Sequence, residues 1–240
     1  MGRKVITFAT ILASLVLFSM FEHAWSKNTK LDSTGTSGII SLPAPRTIGK
    51  VSVEEAIKLR RSVRDYTKEA LNLQEVSQLL WSAQGITDPI TGFRSAPSAG
   101  ATYPLEIYLI VGKEGVVGLE EGVYLYIPQG HKLKHLAKGD IRKELAISAL
   151  GQAWVEKAPI SIVITAIYER TTHRYGERGI RYVHMEVGHV GQNLHLQGVA
   201  LGLGMVMVGA FYDEQVKKIL QLPKEQHPLY IIPIGRPRSR

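Results

Sequence analysis

The sequence predicts an α+β fold. Three observations carry that reading: two well-marked helix starts, several short runs rich in Ile, Val and Tyr, and the absence of a regular βαβ alternation. Ser52-Val-Glu-Glu55 has the form of a capping box, in which the serine oxygen accepts from a free helix N–H and the glutamate reaches back. A short helix to about Arg61 follows from it. Asn72-Leu-Gln-Glu75 opens a second helix in the same way, with Val76, Leu79, Leu80 and Ala83 on one face. Residues 85–104 form a loop thick with Gly, Pro, Ser and Thr. Leu105–Val111 and Gly122–Ile127 are strand-like. Asp140 can cap a helix through Leu150, and residues 159–167 are branched and apolar like a buried strand. The longest helix is predicted from about Tyr182 to Leu203, its Gly and Ala content suited to close packing. A strand over 205–211, a helix over Asp213–Leu220 and a last strand over 229–234 complete the chain.

At 240 residues and 45% apolar composition, the chain can bury one sizeable core. The formal charge is +8, yet the basic residues are scattered. Arg60, Arg61 and Arg64 form the one tight group, so nucleic acid is not expected as a partner. No cysteine is present, which excludes disulfides, thiolate catalysis and Cys-ligated metal. At the N-terminus, Arg3 and Lys4 precede an apolar run over 5–21, and Ala24 and Ser26 follow at cleavage-site spacing. Residues 1–26 therefore read as a secretory signal cleaved after Ser26, or as an uncleaved membrane anchor. Residues 27–50 read as a linker or arm, and 51–237 as the globular domain. The expected location is periplasmic or extracellular, or at the membrane if the segment stays.

Three constellations could carry chemistry. Arg60-Arg-Ser-Val-Arg64 places three guanidiniums and a hydroxyl within five residues, a donor set suited to a phosphate dianion or to a solvated basic turn. If extended, Arg60, Ser62 and Arg64 share one side. The small residues of Ser95-Ala-Pro-Ser-Ala-Gly-Ala-Thr-Tyr-Pro104 let backbone approach a flat ligand, and Ser98 can donate to a polar edge. In the third, His184, Glu186 and His189 invite a metal. The i,i+5 histidine spacing turns the two rings apart on a helix, so none is expected. The glycines over 198–204 lie in a helix rather than at a strand–helix turn, which excludes a dinucleotide fingerprint.

Taken in order, these segments resemble the nitroreductase superfamily, and within it the SagB-type dehydrogenases. The motifs that carry the resemblance are Arg60-Arg-Ser-Val-Arg64, Pro97-Ser-Ala-Gly100 with Tyr103-Pro-Leu-Glu106, Arg181-Tyr182, Gly188-His189 with Gln192-Asn193, and Ile234-Gly-Arg-Pro237. The resemblance implies a central mixed sheet flanked by helices, an intertwined homodimer and an FMN site shared between subunits. It implies that the Arg60–Arg64 motif, with Arg60, Arg61, Ser62 and Arg64, holds the phosphate, joined by Arg236. Pro97, Ser98, Ala99 and Gly100 would reach the flavin from the partner chain. Gly209 and Ala210 would lie near its reactive nitrogen, and Gln192 and Asn193 at the subunit contact. Arg174 and Tyr175 stand where azoline-oxidising members carry a Lys-Tyr pair; arginine is a poor base, while tyrosine can relay a proton. The implied activity is FMN-dependent transfer of hydride from a donor such as NAD(P)H to a small organic acceptor. Two alternatives stay open: oxidation of a small molecule or peptide, and a non-catalytic flavin-binding electron relay.

Overall fold

The computed structural model describes residues 38–238. The export or anchor segment expected at 1–26 lies outside the described residues. Among those described, no helix is long and apolar enough to cross a membrane.

The sheet is seven-stranded. β1 (Ile39–Ser41), β4 (Leu105–Val111), β5 (Gly122–Ile127), β6 (Lys132–Lys138), β7 (Ile160–Ile167), β8 (Gly204–Met205) and β9 (Gln226–Gly235) lie in the order β1-β6-β5-β4-β7-β9-β8. Every ladder in it is antiparallel, and parallel pairing is confined to the isolated bridges Ser62–Met205 and Leu71–Val116. The α+β class holds, but the sheet is antiparallel where a mixed one is expected. β4, the central strand, is followed by the antiparallel meander β5–β6, and both β4 and β9 run antiparallel to β7, which lies between them. A second, two-stranded hairpin, β2 (Ile86–Asp88) with β3 (Phe93–Arg94), sits inside the predicted loop.

Two helices cover one face of the sheet. α2 (Leu73–Gln84) begins in a complete capping box: the Asn72 side chain accepts from the Glu75 amide, and Glu75 accepts from the Asn72 amide. Its predicted face, Val76, Leu79, Leu80 and Ala83, is fully buried, each leucine contributing about 1.5–3 kcal/mol. α1 (Val53–Leu59) has half a box, because Ser52 accepts from Glu55 and the return bond is not formed. α6 (Arg178–Ala200) starts one turn earlier than predicted and packs on α2. It ends at Gly202, φ +69°, where the Leu203 amide turns back to Gly198 O. The residues of β4 and β7 that face these helices alternate with Tyr108, Ile110 and Val163, also buried. The second face is covered in its turn by α3 (Arg142–Ser148), α4 (Ala153–Lys157) and α7 (Asp213–Leu220).

Two local expectations need correction, and one helix was not expected. Asp140 does not cap α3; its carboxylate accepts from the Arg142 amide and pairs with the Arg142 guanidinium at 2.6 Å. α5 (Glu169–Tyr175) is a helix that precedes α6, separated from it by Gly176 at φ +58°. The strand expected over 205–211 stops at Met205, and beyond it only Val208 touches the sheet, through a bridge to Ile231. The described part of the expected linker supplies the edge strand β1, paired with β6.

Candidate active site

Close packing of glycine places the first candidate group. A Cβ at Gly204 would lie 2.7 Å from the Val63 side chain, so glycine there lets the segment after α1 lie against β8. The Val63 amide donates to Met205 O, and the Tyr66 hydroxyl donates to Val63 O and lies 3.1 Å from Pro233 O. Residues 62–66 are thereby fixed in an extended run beside β8 and β9. Tyr66 is buried, which pushes its phenol well above the ordinary tyrosine range.

This run lines a cleft of about 610 Å³ with Arg61, Ser62, Val63, Arg64, Asp65, Pro237 and Arg238. Three guanidiniums face one carboxylate, and the Asp65–Arg238 pair is open to solvent at 3.6 Å. Arg61 donates to Lys58 O and Arg60 O, and Arg64 stacks over Trp154. The charge surplus, the Ser62 hydroxyl (without a partner among the described residues) and the forked donors suit a phosphate dianion.

Two predicted members of the group are placed elsewhere. Arg60 lies close enough to the buried His195 that burial, aided by its charge, pushes the imidazole down to about 4. Arg236 is committed to carboxylates, at 2.5 Å to Glu69 and 2.9 Å to Glu75. Arg238, which sequence reasoning missed, lines the cleft in its stead. Its position two residues after Arg236, on the same side of an extended chain, is the signal that could have found it.

The second group lies at the other end of α6. Gly100 has φ +60°, and a Cβ there would sit 2.5 Å from the Tyr175 hydroxyl and 2.8 Å from Arg174 Nη1. Arg174 donates to Gly100 O at 3.3 Å, and Arg170, one turn earlier, to Tyr103 O at 3.1 Å. The structure thus brings Ser98, Ala99, Gly100, Arg174 and Tyr175 together within one chain. Ser98 is turned inward: its hydroxyl oxygen accepts from the Tyr103 amide. Pro97, just before it, is exposed.

Behind this turn is a buried polar cluster that the sequence offered only as a metal candidate. Glu186 is 2% exposed, accepts from Gln84, and sits near Arg94, whose guanidinium covers the Tyr103 ring at 4.2 Å. Burial holds the Glu186 carboxyl above the usual carboxylate range. His184 pairs instead with the Tyr168 hydroxyl at 2.7 Å, and His189 is exposed. The three side chains point to separate surroundings.

Gly209 and Ala210 are exposed after the Val208 bridge; Gly209 lies against Tyr230, and Ala210 O accepts from Gln152. Gln192 is exposed on α6, while Asn193 donates to Ser95 O.

Comparisons with known proteins show the family and the fold. The model of the nitroreductase family matches residues 57–236. A nitroreductase-named protein of Methanocaldococcus jannaschii is 50% identical over 189 residues, covering 79% of this chain and 93% of its own. The microcin B17-processing protein of Escherichia coli is 28% identical over 158 residues, 65% of this chain and 58% of its own. Among solved structures, a nitroreductase-named protein of Anabaena variabilis superposes with a TM-score of 0.73 at 32% identity, over 88% of this chain and 45% of that chain. The NADPH:FMN oxidoreductase of Vibrio harveyi shares the fold, with a TM-score of 0.57 at 20% identity over 78% of this chain and 69% of that one.

Proposed function

The chain belongs to the nitroreductase family, SagB-like branch included, and from that premise we propose that it is an FMN-dependent oxidoreductase acting as a homodimer. The observation that carries the proposal is the separation of the two candidate groups. Arg60 approaches His195 on α6, whereas Arg174 and Tyr175 lie just before Arg178, where α6 starts. Seventeen helical residues amount to about 26 Å, further than one nucleotide spans. A ligand held by its phosphate at the first group and approached by the second needs two chains.

The donor set fits the group. Arg61, Ser62, Arg64 and Arg238 would hold the phosphate, with Arg60 behind them, and the exposed backbone at Gly209 and Ala210 would take the ring edge. Pro97, Ser98, Ala99 and Gly100 of the second chain would close the site beside Arg174 and Tyr175. Bound flavin supplies the two-electron chemistry, and the protein supplies position and electrostatics. The Tyr175 hydroxyl can donate a proton at the substrate side; Arg174 stays charged and orients. The reductant is NAD(P)H or another small hydride donor. The apolar residues Val53, Ile57 and Leu59 on α1 and Met185 on α6, each more than half exposed, are available for the second subunit. The segment 1–26 directs export or anchors the chain to the membrane.

The test is direct. Purified full-length protein should be yellow, release FMN on denaturation and run as a dimer. Colourless protein that takes up no added FMN would refute the proposal. Arg64→Ala should weaken FMN retention at least about tenfold, the scale of one lost charge-assisted hydrogen bond.

A further inference from the structure

Two arginines sit one turn apart on α5, in the same local fold, with different fates. Arg170 forms a 2.6 Å ion pair with Glu106 and donates to Tyr103 O, so its charge is neutralised. Arg174 has no carboxylate partner among the described residues. Glu169 and Glu177 lie on the same stretch of chain, yet neither pairs with it. Its hydrogen bond is a long 3.3 Å contact to Gly100 O, which leaves most of the guanidinium's five N–H donors unused.

The surroundings hold this free fork in place. The Tyr175 hydroxyl reaches the same glycine, and the Tyr175 ring packs edge-on against Tyr182 at 5.2 Å. Gly176 ends α5 at φ +58°, which fixes the direction in which Tyr175 leaves the helix. Opposite them, Gly100, Ala101 and Tyr103 all have positive φ, at 60°, 53° and 45°. Two of these are not glycine, so the turn is strained. Strain of this kind persists only where the surroundings over-determine the backbone. Here the Thr102 and Thr171 hydroxyls meet at 2.8 Å, Arg170 and Arg174 grip the carbonyls, and the Ser98 hydroxyl holds the Tyr103 amide. The turn is fastened to α5 at three points and braced within itself at a fourth. The result is a preset pair of donors, one guanidinium and one phenol, beside a backbone that glycine keeps open.

We propose that Arg174 and the Tyr175 hydroxyl at Gly100 form a carboxylate-recognition site, so that the substrate of this enzyme is a small carboxylate-bearing molecule. The proposal rests on the flavin-enzyme reading for its consequence, since it names the class of molecule that the substrate side accepts. Charge selects carboxylate over phosphate. With Arg170 neutralised by Glu106 and Arg94 half-buried over Tyr103 beside Glu186, Arg174 brings one exposed positive charge to the turn, which matches a monoanion and under-compensates a dianion. The planar fork meets two carboxylate oxygens side by side, and the phenol can donate to one of them.

Benzoate and benzamide, equal in shape and different in charge, are titrated into the full-length protein by NMR, with and without FMN. Benzoate should bind at least about tenfold more tightly than benzamide, the scale of a hydrogen bond to a charged group. Arg174→Gln should bring that ratio close to one while leaving benzamide unchanged. Arg174→Lys should keep part of the preference and Tyr175→Phe should reduce it a few-fold. Inorganic phosphate should not displace benzoate. A ratio unaltered in Arg174→Gln overturns the proposal, as does parallel loss of both ligands, which would make Arg174 a prop for the turn. Equal binding of the two probes to the unaltered protein overturns it as well. FMN uptake is scored separately by absorbance: its failure refutes the flavin reading, while the ratio on flavin-free protein still decides this site.

Discussion

Removing the Arg236 guanidinium should destabilise the fold without emptying the phosphate cleft. Arg236 joins the last strand to the start of α2, through Glu69 at 2.5 Å and Glu75 at 2.9 Å. The Glu69 end is exposed and worth up to about 1 kcal/mol. The Glu75 side chain is only 12% exposed, and its other oxygen holds the Asn72 amide. In Arg236→Ala that carboxylate loses its cation without regaining full hydration, a cost of about 1.5–3 kcal/mol. The two ends together give about 1.5–4 kcal/mol, or a fall in Tm of about 3–16 °C for a domain of this size. Urea unfolding followed by circular dichroism measures the change, and a cycle with Glu75→Gln should show coupling of at least about 1 kcal/mol. FMN affinity is measured on the same samples. Stability altered by less than about 0.5 kcal/mol, together with lost FMN, would show that Arg236 serves the phosphate after all.

Two further outcomes follow from the geometry and a third from the N-terminal sequence. His195 is held neutral, its value pushed down from 6.5 to about 4; below pH 6.5 the unfolded chain takes up a proton that the folded chain refuses. Stability should therefore fall between pH 6.5 and 4, by up to about 3 kcal/mol, and a His195→Asn variant that falls as steeply would refute this cause. Gly100→Ala places a methyl at 2.5 Å from the Tyr175 hydroxyl on a backbone at φ +60°; a loss of about 1–3 kcal/mol is expected, and an unchanged Tm would show that the turn is loose. Mass spectrometry of the mature protein should find an N-terminus just after Ser26, or the full segment in a membrane fraction; soluble cytosolic protein beginning at Met1 would overturn the targeting proposal.

Elements whose local chemistry agrees with their tertiary role were legible in the sequence. α2 carries its cap and its apolar face within twelve residues, and β4 is apolar because both faces are buried. The segments that escaped are held by remote partners. α5 buries only Thr171 and has no side-chain cap, so ERTTHRY offers no period to read. β6 buries little beyond Leu133, and its lysines hide the alternation. Residues 206–211 misled in the opposite sense: their apolar run reads as strand, yet it leaves the sheet after a single bridge. The site divides in the same way. Arg61, Ser62 and Arg64 are neighbours in the chain and were found together. That Arg238 belongs beside them, and that Arg236 serves Glu75, depends on contacts across more than 160 residues.

The three-residue β1 closes the free side of β6, with Ile39 opposite Lys134 and Ser41 opposite Lys132. At the far end β8 does the same for β9 with two residues. A shortened protein begun at Leu42, a natural choice for anyone trimming a presumed linker, would leave the β6 backbone amides and carbonyls open over Lys132–Lys134. Such an edge is a template for another chain. The arm is therefore part of what keeps the protein from self-associating through its sheets, and its removal should be judged by light scattering before any loss of activity is ascribed to the flavin site.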